Sequence, residues 1–225
     1  MSTIFRLDSS IRAEGSVTRA VATTLESELV AALDGTTVIR RELGLTPLPS
    51  TVWATSVFAS YTPEEYQTAE QKDAIALATE LADELEQADA YILALPFYNL
   101  GVSQHVKAWV DVLLTEPRFS ALSPLSSKTI AGRPAYFIIA RGGGYGPGTP
   151  RDGWDHATGW LRRIFEDLWR LDVTIIESEL TMADVNPAMA ELRDLGAQNL
   201  QNAHNMAREQ AKILAEKLGN TVAES

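Results

Sequence analysis

Hydrophobic positions along the chain alternate between short continuous runs and longer segments in which they recur every three or four residues. Residues 4–7 form the first run, and Val21, Leu25 and Leu29 follow at helical spacing after a polar stretch. Short apolar runs are typical of buried strands, and the wider spacing is typical of amphipathic helices. The first part of the chain is therefore predicted to form a strand, a loop and a helix.

The same alternation continues along the rest of the chain. Further strands are predicted over residues 36–39, 90–95, 135–140 and 173–176, with helices over residues 103–114 and 155–169 and a last helix from Asn186 to about Leu218. Strands that alternate with helices indicate βαβ units. We therefore predict one doubly wound α/β domain over residues 1–225, with a five-stranded parallel sheet in the flavodoxin-like order 2-1-3-4-5 and helices on both faces.

Two helix starts carry local signals. Thr62, Pro63 and Glu65 offer a cap, a proline at the first helical position and a glutamate at the capping-box position. A helix is predicted from this segment to about Gln87. Ser103 is the predicted cap of the helix that follows the third strand.

Charge and composition exclude several classes of function. The formal net charge is −11, so the surface repels nucleic acid and anionic lipid. No stretch approaches the ~20 apolar residues of a membrane span, and the first residues lack the apolar core of a signal peptide, so we expect a cytoplasmic protein. The chain has no cysteine and only 3 histidines. No metal site is expected, and redox chemistry would need an organic cofactor.

Three loops are predicted at the carboxyl ends of the first, third and fourth strands: residues 8–18, 96–100 and 140–144. In an open α/β sheet these ends meet at one crevice, where ligands bind. The first loop offers hydroxyls at Ser10, Ser16 and Thr18 beside a helix start, a combination that binds phosphate. An alternative interpretation is that Ser16 or Thr18 only caps the helix.

The other two loops suit a flat ring. Phe97 and Tyr98 provide planar surfaces, and Gly142 and Gly143 lack side chains that would obstruct a ring beside them. A planar heterocycle fits between the two loops. The alternatives are ordinary aromatic packing at a strand end and an ordinary glycine turn.

These loops resemble a known family, the FMN-dependent NADH azoreductases and quinone reductases. The family's P-[MFW]-Y-N-[FL] segment is matched by Pro96-Phe97-Tyr98-Asn99-Leu100, and its S-R-G-G segment by Ala140-Arg141-Gly142-Gly143. Its opening S-S-I is matched by Ser9-Ser10-Ile11. The resemblance extends over almost the whole chain. Two positions depart from it, since Val17 replaces a glutamine of the phosphate segment and Ala140 replaces a serine.

The resemblance implies a bound FMN and names the residues around it. Ser10, Ser16, Val17 and Thr18 would surround the phosphate. The residues around the ribityl chain and the flavin would be Pro96, Phe97, Tyr98, Asn99, Leu100, Ala140, Arg141, Gly142 and Gly143.

The resemblance also implies an activity and an assembly. A reduced nicotinamide, NADH or NADPH, would give hydride to flavin N5, and a quinone or azo acceptor would then collect it, with no catalytic acid or base required of the protein. A homodimer with the flavin site at the subunit interface is implied as well. The alternative function is a flavodoxin-type electron carrier that binds FMN but turns over no substrate of its own.

Overall fold

The computed structural model describes residues 1–120 and 129–223, and it contains a parallel sheet with helices on both faces. The strands are β1 (Thr3–Asp8), β2 (Thr37–Glu42), β3 (Ala90–Tyr98), β4 (Gly101–Val102), β5 (Pro134–Ala140) and β6 (Asp172–Ser178). The parallel strands follow the order β2-β1-β3-β5-β6, which confirms the predicted doubly wound topology. The short β4, which was not predicted, pairs antiparallel with the end of β3.

The register of the sheet aligns the strand ends that carry the three loops. Asp8 at the end of β1 lies beside Ala94 of β3, and Ala140 at the end of β5 lies beside Pro96. The chain therefore leaves these strands at one edge of the sheet.

Two helical layers cover the sheet. The helices are α1 (Val17–Ala32), α2 (Val52–Ala59), α3 (Ala69–Gln87), α4 (Gln104–Leu113), α5 (Thr158–Arg162) and α6 (Arg193–Ala223). Side chains of α1 and α6 pack on one face of the sheet around Ile4 and Ile92. Side chains of α3 and α4 pack on the other face, where Trp109 is fully buried and stacks on Phe5. None of the described helices is long and apolar enough to cross a bilayer.

The predicted start of the helix at Thr62 is wrong. The helix α3 begins after Thr68, whose hydroxyl accepts a hydrogen bond from the Gln71 N–H while the Gln71 side chain bonds back, a complete capping box. The Thr62 hydroxyl instead donates to the Phe58 carbonyl at the end of α2. Thr62 therefore bonds to the end of the preceding helix. Only a single 3-10 turn, Glu64–Tyr66, forms between α2 and α3.

Candidate functional site

A crevice of about 200 Å³ lies at the carboxyl ends of β1, β3 and β5. It brings together most of the residues predicted for cofactor binding: Ser10, Ser16, Val17, Thr18, Pro96, Phe97, Tyr98, Ala140 and Gly142. Four further residues, which were not predicted from the sequence, also line the crevice: Arg12, Gly15, Thr181 and Met182. A larger recess of about 360 Å³ lies between α2 and α3, but none of the three strand-end loops reaches it.

The serine loop, residues 9–16, forms the first wall of the crevice. Ser16 is the N-cap of α1, because its hydroxyl accepts a hydrogen bond from the Arg19 N–H at 3.4 Å, and it also lies 3.3 Å from the Thr18 hydroxyl. Ser16 therefore caps the helix, and Ser16 and Thr18 both line the crevice as well. The Ser10 hydroxyl accepts the N–H of Arg12 at 3.2 Å.

The serine loop packs against the turn that follows β2. The Asp8 carbonyl accepts the N–H groups of Leu43 and Gly44, at 2.8 and 3.2 Å. A Cβ at Gly44 would stand 2.0 Å from the Ser10 carbonyl oxygen. Only glycine allows the two backbones to approach this closely.

The end of β3 forms the second wall. The Tyr98 hydroxyl lies 3.3 Å from the Ser10 hydroxyl and accepts the Ile11 N–H at 3.3 Å, so this ring joins the second wall to the serine loop. Asn99 and Leu100, which were predicted to contact the cofactor, do not line the crevice. They adopt φ of 49° and 70° and make the tight turn into β4.

The glycine loop, residues 141–144, forms the third wall. Its backbone is hydrogen-bonded to the segment after β6, since the carbonyls of Arg141, Gly142 and Gly143 accept the N–H groups of residues 181, 182 and 180 at 3.1 to 3.3 Å. This pairing places Thr181 and Met182 in the crevice. These two residues were not predicted, because the sequence motifs lie at the exits of three other strands and not at the exit of β6.

Arg141 directs its side chain away from the crevice. The guanidinium is buried and donates to Glu177 at 2.5 Å, to Asp155 at 2.7 Å and to the Thr158 hydroxyl at 2.9 Å. Burial alone raises the pKa of the Asp155 carboxyl, but hydrogen bonds from Thr158 and the neighbouring guanidinium outweigh it and hold the pKa below its ordinary value. Arg141 thus anchors the base of the glycine loop. Its backbone N–H and carbonyl are also bonded within the protein, to Ser178 and Thr181, and Arg141 does not line the crevice.

Protein side chains occupy the space that the two glycines leave. A Cβ at Gly142 would stand 2.9 Å from the Met182 Cγ, and one at Gly143 would stand 2.9 Å from the Arg151 Nη1. Arg151 also donates to the Tyr145 hydroxyl at 3.1 Å, and the Tyr145 ring packs edge-on against Phe97 with centroids 4.7 Å apart. An aromatic surface with one cation beside it therefore flanks the crevice.

The charges near the crevice favour an anionic ligand. Among the described residues, no carboxylate lies within ion-pair distance of Arg12 or Arg151, although the chain as a whole is strongly acidic. Arg12 lines the crevice directly. No group of three histidine or acidic side chains in the described part of the chain is arranged to hold a metal ion.

Comparisons with known proteins agree with this geometry. A family model described as "Flavodoxin-like fold" matches residues 2–198. The chain belongs to the flavodoxin-like fold family. In flavodoxin-like sheets a ligand binds beyond the carboxyl ends of the strands, which is where the crevice lies.

Several known proteins are similar over nearly the full chain. The FMN-dependent NADH:quinone oxidoreductase of Frankia casuarinae is 37% identical over 95% of this chain and 100% of its own. The protein of the same name from Streptomyces coelicolor is 35% identical over 97% of both chains. The crystal structure of an FMN-dependent NADH-azoreductase from Bacillus anthracis in complex with FMN superposes with a TM-score of 0.73 at 17% identity, covering 96% of this chain and 100% of that one.

Proposed function

We propose that this chain is an FMN-dependent oxidoreductase that transfers hydride from NADH to a quinone, with azo compounds as related acceptors. One observation carries the proposal: the serine loop, the Tyr98 segment and the glycine loop converge on one crevice. The relatives named FMN-dependent NADH:quinone oxidoreductase support it, because they match this chain over its length and not over a fragment.

The residues of the crevice fit FMN on chemical grounds. A phosphate dianion needs N–H and hydroxyl donors and gains from a cation. A flavin ring needs flat or polarisable neighbours. The crevice supplies the first set through Ser10, Arg12, Ser16, Thr18 and the start of α1, and the second through Phe97, Tyr98, Gly142 and Met182.

The protein's part in the reaction is to bind and to orient. When bound, FMN supplies the hydride-transfer chemistry. The hydroxyls and Arg12 would hold the phosphate, while Phe97, Tyr98 and Gly142 would lie beside the ring. No side chain is assigned as a catalytic acid or base.

The proposal includes a homodimer in which a second copy completes the flavin site. The crevice of about 200 Å³ in one protomer is smaller than the roughly 300–1,000 Å³ of cofactor and ligand pockets. Beside it Ile11 is 59% exposed, which suits a surface that a partner covers. Sedimentation velocity tests this assembly, and a monomer with full FMN affinity would contradict it.

The proposal also keeps the single domain over residues 1–225. It keeps the cytoplasmic location too, since a cysteine-free chain needs no oxidising compartment.

A test of the activity uses the purified full-length chain. We expect a yellow protein whose absorbance in the flavin bands follows added FMN, and which oxidises NADH continuously when a quinone is present. A colourless protein that does not respond to FMN overturns the proposal. Binding of FMN without steady turnover in the absence of a reductase partner would support the electron-carrier alternative instead.

A further inference from the structure

The guanidinium of Arg19, on the first turn of α1, is bonded to the backbone of the serine loop at two points. Its Nη2 donates to the Ser10 carbonyl at 2.8 Å, and its Nε donates to the Arg12 carbonyl at 3.0 Å. Its Nη1 and Nη2 also donate to the carboxylate of Glu42, at the end of β2, at 2.6 and 2.8 Å. Arg19 therefore connects the serine loop to the neighbouring strand.

These bonds leave Arg19 little capacity to bind a ligand itself. A guanidinium has five N–H donors, and four hydrogen bonds to the protein are formed here. Its charge is balanced by the Glu42 carboxylate, with Asp8 3.8 Å away. Any role of Arg19 toward a ligand is therefore exerted through the loop that it holds.

Arg19 fixes the orientation of two peptide groups of the serine loop. In a trans peptide the carbonyl and the following N–H point in opposite directions. With the carbonyls of Ser10 and Arg12 drawn to Arg19, the next N–H groups point away from it. The N–H of Ile11 does so, and it reaches the hydroxyl of Tyr98, which lines the crevice. A bound phosphate is repelled by carbonyl oxygens. Drawing two of them to Arg19, which does not line the crevice, therefore favours it.

Glu42 fixes Arg19 in this position. Its carboxylate also accepts the N–H groups of Gly44 and Leu45, at 2.8 and 3.0 Å. Burial raises the pKa of the Glu42 carboxyl, but hydrogen bonds from Arg19 and from these N–H groups outweigh it and hold the pKa below its ordinary value. The pair is thus charged at neutral pH and is anchored on both sides.

We propose that Arg19, held by Glu42, is a positioning residue that makes the crevice select a phosphorylated flavin over the same flavin without phosphate. The inference rests on the proposed function, because it takes the phosphate of FMN as the group that the serine loop receives. It predicts that loss of Arg19 weakens FMN binding and leaves riboflavin binding almost unchanged.

The test compares FMN and riboflavin on the full-length chain freed of flavin, with dissociation constants from quenching of flavin fluorescence. Arg19→Gln should weaken FMN binding by at least about tenfold, the loss of one hydrogen bond from the displaced loop to the dianion. It should weaken riboflavin binding by less than about twofold. Arg19→Lys should behave like Arg19→Gln, because lysine keeps the charge but cannot span both carbonyls and the carboxylate. The matched control is Arg41→Gln, since Arg41 is as shielded as Arg19 (19% against 17% exposed) and pairs with Glu80 and Glu84 of α3. It should change neither constant.

The outcomes separate this inference from the proposed function. If the unchanged chain binds neither flavin, the proposed function fails. If it binds FMN but Arg19→Gln weakens both flavins equally, Arg19 supports the fold and not the phosphate site, and the inference is wrong. If Arg19→Lys binds FMN as tightly as the unchanged chain, the charge and not the positioned fork matters, which also overturns it. Thermal unfolding of each variant confirms that the folded proteins are compared.

Discussion

The contact between Gly44 and the serine loop makes a sharp prediction for Gly44→Ala. The added methyl would stand 2.0 Å from the carbonyl oxygen of Ser10 and 2.4 Å from its carbonyl carbon. Both are backbone atoms, so no side-chain rotation relieves the clash. The Ser10 peptide must retreat until the methyl is at least 3.0 Å away, because real Cβ contacts are essentially never shorter.

The magnitude follows from what this retreat disrupts. Overpacking by one methyl costs about 1–3 kcal/mol. Movement of the Ser10 carbonyl also strains its 2.8 Å hydrogen bond from Arg19, and a lost hydrogen bond costs about 1 kcal/mol. The free energy of unfolding should therefore fall by about 2–4 kcal/mol. FMN affinity should fall by at least about tenfold, since the displaced loop is the proposed phosphate site.

Urea unfolding of the flavin-free chain measures the first effect, and fluorescence titration with FMN measures the second. Gly101→Ala is the matched control, because a Cβ there meets nothing within 4 Å and the residue does not have a positive φ. We expect it to change the unfolding free energy by less than about 0.5 kcal/mol. If Gly44→Ala matches this control in both measurements, the close approach of the two backbones does not exist in solution and the reasoning fails.

Three further substitutions test other parts of the site. Tyr98→Phe removes the hydroxyl that meets Ser10 and Ile11, and fluorescence titration should show FMN affinity reduced by about three- to tenfold. The pKa of Glu42 is lowered in the folded chain, so its charge stabilises the fold at pH values above the ordinary pKa of 4.5. This stabilisation is lost as the pH falls through the lower pKa that Glu42 has in the folded chain. The difference in urea midpoint between the native chain and Glu42→Gln should therefore shrink from about pH 6 to about pH 3. Arg151→Gln should lower kcat/KM for a sulfonated quinone about fivefold relative to a neutral quinone. The factor corresponds to the ~1 kcal/mol of attraction between the guanidinium and a sulfonate 4 Å apart in water.

Each of these has a clear contrary result. Unchanged FMN affinity in Tyr98→Phe would show that the hydroxyl does not shape the serine loop. A midpoint difference for Glu42→Gln that is constant with pH would mean that the carboxylate titrates normally in the folded chain. Equal losses for the charged and the neutral quinone in Arg151→Gln would indicate a structural effect, and Arg208→Gln, on α6, controls for the change in net charge.

The central strands could be predicted because burial on both faces leaves a simple pattern. β3 and β5 lie between two other strands and beneath two helical layers, so nearly every position is buried and the apolar run is continuous. The edge strand β2 is half-exposed and mixed in polarity. Its apolar run therefore predicted only residues 36–39, and the strand continues through charged residues to Glu42.

The segment between β2 and α3 was harder to interpret for a physical reason. Two threonines six residues apart, Thr62 and Thr68, both offer a hydroxyl before a helix-forming stretch. The choice between them depends on which N–H or carbonyl each hydroxyl reaches, and Thr62 is drawn to the carbonyl of Phe58. The helix α2 was missed altogether, because it exposes Trp53 and Phe58 and shows no apolar stripe that distinguishes it from a loop.

The crevice could be predicted in part from local motifs. Contiguous motifs at three strand ends identified the walls, because parallel strands end at one edge. Met182 and the Arg19–Glu42 pair could not be found in this way, since their roles depend on contacts between segments distant in sequence. Arg141 shows the reverse case, a residue inside a motif whose side chain serves the fold.

The pairing of the glycine loop with residues 180–182 has a thermodynamic consequence. Glycines lose more conformational entropy than other residues when they become ordered. Here the three loop carbonyls are already engaged by backbone N–H groups, so that entropy is lost when the chain folds and not when a ligand arrives. A flavin that binds beside this loop then keeps more of its interaction energy as affinity. The loop that composition marks as the most flexible is, in this fold, a preorganised wall.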